Sequence, residues 1–172
     1  MRAALRKIGD GVFHATDYLE DRSGEPSIAI ALRLELRDGS ALLDYTGTSP
    51  QCSLPLNAVF GVTLSGVHYA LRAVTDPTIP MNEGCFRPVE VRVPHGTLLN
   101  PRRPAPVSGG NVETSMRNAE VVLQALACAA PERVPACSGG TMSNVPSGTR
   151  TSTGRKQPSF IGIVGSVTAR SA

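Results

Sequence analysis

The 172-residue chain has no tryptophan, only seven other aromatic residues and only two lysines among its 17 basic side chains. It contains no apolar run of the length a transmembrane helix needs, about 18 residues or more, which excludes a helical membrane span. The first residues, Met1 to Lys7, carry Arg2, Arg6 and Lys7 and no apolar core of a secretory signal, so the expected compartment is the cytoplasm. Cys52, Cys85, Cys128 and Cys137 show no C-x-x-C spacing. A zinc ribbon and a thioredoxin-type redox motif are therefore excluded, and reduced thiols are expected. There is no G-x-S-x-G nucleophile elbow and no Gly-Lys-Ser/Thr closing a phosphate loop, so neither an α/β-hydrolase nor a P-loop nucleotide site is written here.

Acidic residues are also unevenly missing. Residues 1–132 hold 12 basic and 14 acidic side chains, whereas 133–172 hold five basic residues and no acid. A basic tail attracts phosphate, but scattered arginines without interleaved aromatics lack the means to read bases, and nucleic-acid binding is not expected. The length suits one domain. Its division is expected near residue 148, with 149–172 a basic, Ser/Thr/Gly-rich tail of weak order.

What is present begins with two strands. Val12 to Leu19 reads as a strand with His14 and Tyr18 on one face and Phe13, Ala15 and Leu19 on the other. A clearer period of two follows, Ile28, Ile30, Leu32, Leu34 and Leu36 alternating with Ala29, Ala31, Arg33 and Glu35. Asp38-Gly39 then supplies the two positive-φ residues of a type I′ turn, and Ala41, Leu43 and Tyr45 resume the alternation, completing a hairpin. Phe60, Leu64, Val67, Leu71 and Val74 form a helical stripe within about residues 57–74, where Gly61 and Gly66 weaken the helix or admit a close neighbour. Val89, Val91 and Val93 make a further strand. Val112, Met116, Ala119, Leu123 and Leu126 mark a second helix over about 112–130, stopped by Pro131. Val134 to Cys137 is expected to add a short strand. The fold class is α+β, a mixed sheet built on the hairpin and packed by two helices.

The chemistry-bearing candidates are few. His14 and Asp17 lie three apart on a strand and point to opposite faces, so they do not converge on a metal. His68 sits on a helix flank, and His95 in a turn lacks an acidic neighbour. Cys137 precedes Ser138-Gly139-Gly140, a loop able to offer amides to an oxyanion, but without a base beside it a buried, inert thiol is expected. Two loops stand out. Asp44-Tyr45-Thr46-Gly47-Thr48-Ser49-Pro50-Gln51 concentrates hydroxyls, an acid and an amide after a strand. Its structural reading is an Asx turn. Ser108-Gly109-Gly110-Asn111-Val112-Glu113-Thr114-Ser115 opens the second helix. There the glycines permit close approach of a ligand and the N-terminal amides favour an anion, against a structural reading as an Asn N-cap.

These loops, with Pro55-Leu56-Asn57, Ile79-Pro80-Met81-Asn82-Glu83-Gly84 and Phe86-Arg87-Pro88-Val89, occur in an order that resembles the hydantoinase B/oxoprolinase family, over roughly Asp10 to Ser147. That family includes the B subunits of ATP-dependent N-methylhydantoinases, one half of 5-oxoprolinase and related carboxylase subunits. The resemblance implies an ATP-dependent ring-opening hydrolysis of a cyclic amide or imide in the complete enzyme, with ATP and a divalent metal as cofactors. It implies an A-type, actin-like ATPase subunit as partner, holding the nucleotide, and metal ligands upstream of this segment, so that no cofactor is held by these 172 residues. It makes Asp44, Thr46, Ser49, Gln51, Asn57, Gly109, Gly110, Asn111, Glu113, Thr114 and Ser115 the candidate substrate-binding residues; no catalytic residue is identified. On its own the chain is expected to be inactive, a fragment of the subunit or, as the alternative, a scaffold or binding module derived from it. Past Met142-Ser143-Asn144 the family pattern stops, for which a divergent C-terminus and a frameshift near Ser147 to Gly154 are both open. If the hairpin face and first helix stripe await the rest of the subunit, the isolated chain self-associates through them.

Overall fold

The computed structural model describes residues 1–142, together with the backbone of 145–150 and 156–161. Helix α1 (Arg2–Ile8) leads into strand β1 (Gly11–Glu20), which pairs antiparallel with β2 (Pro26–Arg37). Strand β3 (Ser40–Asp44) completes the hairpin, and after helix α2 (Phe60–Val74) strand β4 (Val89–Arg92) joins parallel to β3. The result is a mixed sheet in the order β1-β2-β3-β4, α+β as the sequence implies. The crossover that a parallel pair requires is α2. Helix α3 (Ser115–Ala129) follows a wide π-helical turn over Gly110–Thr114, and β5 (Val145–Arg150) pairs antiparallel with β6 (Lys156–Ile161). The expectation for the 149–172 tail falls mainly outside the described residues.

The hairpin register follows the sequence. Ile28, Ile30, Leu32, Leu34 and Leu36 all face the core, at 8% exposure or less. Asp38 and Gly39 take φ values of 46° and 71°, the left-handed pair of a type I′ turn. Helix α1 folds over that turn, burying Leu5 and setting the Arg6 guanidinium 3.0 Å from the Asp38 carboxylate. Both ion-pair partners are exposed, so the pair adds little stability. Burial of the five hairpin residues contributes far more, of the order of 1.5–3 kcal/mol each.

Both helix stripes are rotated from the expected ones. In α2 the buried residues are Thr63, Gly66, Val67, Ala70, Leu71 and Val74, while Phe60 is 41% exposed and Leu64 half-buried. The period of large apolar residues overlooked the buried Gly66 and Ala70, and the bare backbone at Gly66 lets α2 approach Asn118 of α3. In α3 Asn118 through Val122 are all buried, with Ala125 and Leu126, because the helix lies between the sheet and α2; Val112, Met116 and Leu123 are only half-buried. Helix α2 begins at Phe60 rather than near 57, since Asn57 serves the preceding loop.

Three further expectations are corrected. Val134–Cys137 forms no strand: Pro135 has no N–H for a ladder bond. Cys137 is exposed rather than buried, because this segment runs over the outside of α3. The hairpin face and most of the α2 stripe are covered by the chain's own core rather than awaiting other parts of the subunit.

The two glycines of α2 give a test. A Cβ at Gly66 would meet the Asn118 Nδ2 at 2.6 Å, whereas one at Gly61 would meet nothing within 4 Å. Asn118 is held at both ends of its amide, so it cannot yield. Denaturant unfolding is expected to show Gly66→Ala destabilised by about 1–3 kcal/mol and Gly61→Ala unchanged or stabilised by up to ~1 kcal/mol. The same sign for both would contradict this packing.

Candidate functional site

The first candidate loop continues the sheet by means of side chains. The Asp44 carboxylate accepts from the Thr46 N–H at 2.9 Å and the Thr46 hydroxyl at 2.6 Å, an Asx turn. Those two bonds, more than the nearby Arg92 and Arg33, hold its carboxyl below the usual carboxylate range. Beyond the turn Thr48 and Ser49 take the place of a paired strand along β2. The Ala31 N–H donates to the Thr48 hydroxyl at 3.2 Å and the Ala29 N–H to the Ser49 hydroxyl at 2.9 Å. Gln51 clasps the backbone of Arg102 with both ends of its amide, at 2.7 and 3.3 Å.

Asn57 is fully buried and organises the chain from 52 to 58. Its Oδ1 accepts from the Cys52 N–H at 2.9 Å, and its Nδ2 donates to the carbonyls of Cys52, Leu54 and Pro106 at 2.8, 3.2 and 2.9 Å. This loop is the floor on which the second candidate loop sits. The Gly109 N–H donates to the Pro55 carbonyl at 2.5 Å, and the Thr114 hydroxyl donates to the Leu56 carbonyl. A Cβ at Gly110 would stand 2.1 Å from the Asn57 carbonyl oxygen. The glycines therefore serve close packing of backbone on backbone.

That packing removes one expected role. The Gly109 and Gly110 amides, read in sequence as donors for a ligand, already have acceptors in Pro55 and Val107. The Asn N-cap reading is corrected as well: the turn begins at Gly109 without a side-chain cap, and the Asn111 side chain is exposed. The Ser115 hydroxyl donates to the Asn111 carbonyl at 2.5 Å, and the Glu113 carboxylate accepts from the Thr141 hydroxyl at 2.8 Å. Of the eleven candidates, Ser49 and Asn111 retain side-chain donors with no acceptor among the described residues.

The first loop is joined to the helix that the second loop opens by a link that the sequence reading did not single out. The Tyr45 hydroxyl, at the head of the first loop, donates to the Asn118 Oδ1 at 2.7 Å, and Asn118 Nδ2 donates to the Thr63 carbonyl at 3.0 Å. Burial raises the Tyr45 phenol well above its ordinary range, so it stays a neutral donor. The available signal was an amide in an otherwise apolar stretch of helix, since a buried polar group needs a partner. His68, whose pKa burial lowers, stacks on Phe86 with ring centroids 3.5 Å apart.

The exposed groups of the two loops, Thr46 and Asn111 among them, lie outside three clefts of the described residues. These are one of about 240 Å³ between Arg2, Arg37 and Arg87, one of 400 Å³ beside Arg22 and Cys52, and one of 420 Å³ between Lys7 and Asp76. None is lined by any of the eleven candidates. Among the described residues no group of three or more His, Cys, Asp or Glu side chains is arranged to hold a metal ion, and no helix is long and apolar enough to cross a membrane.

The contrast between Asn57 and Asn111 is measurable. Asn57→Ala leaves buried backbone groups without partners and is expected to lose about 3 kcal/mol in chemical denaturation. Asn111→Ala is expected to stay within about 0.5 kcal/mol of the parent chain. Equal losses would show that Asn111 is part of the scaffold.

Comparison with known proteins places this geometry. The sequence profile described as hydantoinase B/oxoprolinase matches residues 1–172, further at both ends than the motif-bearing stretch. An uncharacterized protein of Methanocaldococcus jannaschii is 47% identical over 84% of this chain and 25% of its own length. The 5-oxoprolinase 1 of Arabidopsis thaliana is 41% identical over 81% of this chain and 10% of its own. The caprolactamase subunit beta of Pseudomonas jessenii is 36% identical over 81% of this chain and 24% of its own. A solved structure of the ATP-dependent caprolactamase from Pseudomonas jessenii superposes with a TM-score of 0.77 and 31% identity, over 95% of this chain and 28% of the other. The chain thus spans between a tenth and about a quarter of its relatives' lengths. With its motifs in order and its fold shared, the chain belongs to the hydantoinase B/oxoprolinase family.

Proposed function

We propose that these residues form the scaffold segment of a B-type subunit whose complete enzyme opens a cyclic amide or imide ring at the expense of ATP. One observation carries this reading: the match in fold and sequence, over 95% of the chain, to an ATP-dependent caprolactamase. Hydantoins, 5-oxoproline and larger lactams are the substrate class. An unactivated lactam carbonyl is a poor electrophile, and transfer of a phosphoryl group to its oxygen supplies a leaving group. In this reading the partner is an A-type ATPase subunit that holds the nucleotide, and a divalent metal belongs to parts of the B subunit other than these residues.

The role of this chain in such a reaction is to hold donors toward a substrate oxygen while charge builds on it. The committed groups of both loops make that surface rigid. Ser49 and Asn111, whose donors are free, are the residues assigned to the substrate, with Thr46, Glu113 and Ser115 beside them as acceptors. The 172 residues alone lack the nucleotide-binding partner and have no turnover of their own. The alternative is an inactive scaffold derived from the family.

A chimera separates the two. Residues 10–147 of this chain, placed in the caprolactamase beta subunit in exchange for the matching stretch and assembled with its natural partner, are expected to keep lactam-dependent phosphate release. Asn111→Ala in that chimera is expected to lower kcat/KM for lactam by about 10- to 100-fold, the scale of a lost oxyanion donor. A chimera that assembles but releases no phosphate with any lactam supports the inactive scaffold instead. Turnover by the isolated 172-residue chain would show that the chemistry lies wholly within it.

A further inference from the structure

The structure contains a strap that the candidate site does not account for. After the turn at Pro131–Arg133 the chain reverses and runs back along α3 toward its start. Its contacts descend the helix in order. The Ser138 hydroxyl donates to the Glu120 carboxylate, Gly140 lies on the Arg117 guanidinium, the Thr141 hydroxyl donates to the Glu113 carboxylate at 2.8 Å, and the Met142 N–H donates to the Val112 carbonyl at 3.1 Å. Glu113, Arg117 and Glu120 are spaced four and three apart, one stripe of a helix. Arg117 is fixed from its other side by Asp17 of β1 at 2.9 Å and by Glu120 at 3.6 Å.

Two features distinguish this strap from a loop that merely rests on a helix. Gly140 is buried with φ +68°, and a Cβ there would stand 2.9 Å from the Arg117 guanidinium carbon. The position therefore requires glycine for both its backbone and its neighbour. The last two strap contacts, moreover, fall on Glu113 and Val112, inside the π-helical turn Gly110–Thr114. A π turn is a rare departure from ordinary helix that is frequently found at functional sites. Here Gly109 and Thr114 hold it from below through Pro55 and Leu56, and the strap holds it from above.

We propose that Ser138–Met142 is a clamp that fixes the π turn, and with it the direction of the exposed Asn111 amide, making Gly140 and Thr141 positioning residues for the substrate surface. The functional half of this rests on the reading under which Asn111 faces the substrate; the structural half does not. Loosening the clamp leaves the sheet and core intact while the turn samples ordinary helix and Asn111 swings away.

The test uses the complete chimeric beta subunit with its partner and compares Thr141→Val, Thr141→Ser and Gly140→Val. Hydrogen exchange is read at the amides of residues 110–115 and of β2, and steady-state kinetics are read for lactam and for ATP. Thr141→Val and Gly140→Val are expected to speed exchange at 110–115 by roughly tenfold, with β2 unchanged, and to lower kcat/KM for lactam while the KM for ATP holds. Thr141→Ser, which keeps the hydroxyl, is expected to restore both. Unchanged exchange at 110–115 in Thr141→Val and Gly140→Val overturns the clamp whatever the activity. Faster exchange with unaltered lactam kinetics overturns the positioning role. An assembled parent chimera inactive on every lactam overturns the proposed function instead, and leaves the exchange result to decide the clamp.

Discussion

A tyrosine hydroxyl and a carboxamide buried between two helices and a sheet are costly unless each donor meets an acceptor, and the Tyr45–Asn118 bond of 2.7 Å is where this chain meets that constraint. From Asn118 the same circuit passes to the Thr63 carbonyl, from the Thr63 hydroxyl to the Leu99 carbonyl, and from the adjoining Leu98 N–H and C=O to Ser49 and Ala58. It begins and ends in the first candidate loop, having visited both helices. Every step is a single bond worth about 1 kcal/mol net, but removing any partner strands a buried group. The circuit therefore fixes the α2–α3 approach, which in turn demands glycine at position 66.

The same economy of partners governs the candidate loops. Hydroxyls and amides crowded into a loop look like a ligand site in sequence. Here most of them complete β2, cradle Arg102 or seat the start of α3. Under the proposed function, loops so tied down suit a site that must be organised before charge develops on a substrate. What it leaves free is small: one hydroxyl on Ser49 and one carboxamide on Asn111.

The hairpin was legible because a period of two has one solution when one face is buried, and because Asp38-Gly39 allows few turns other than type I′. The helices were legible in extent but not in rotation. Period-counting weighs large apolar residues, while the close α2–α3 approach is at Gly66 and Asn118, which carry little weight in such a count. Motif order was enough to identify the family, since it survives even where single motifs are weak. The engagement of each loop residue was not legible: whether Gly109 offers its amide to a ligand or to Pro55 depends on a contact between segments over fifty residues apart. Cys137 was misjudged, and the 138–142 strap not anticipated, for a similar reason, since nothing local says that α3 presents a charged stripe to that segment.

Native-state hydrogen exchange addresses this division between scaffold and free groups most directly. The amides of Ala29, Ala31 and Cys52 are held by side chains, the Ser49 and Thr48 hydroxyls and the Asn57 carbonyl, rather than by a neighbouring strand. If those side chains are structural partners, the three amides exchange as slowly as Leu34 in the centre of β2, opening only with the whole domain. Exchange at the rates of an open loop, with Leu34 still protected, would mean that the loops are loose and that their polar groups remain available to a ligand.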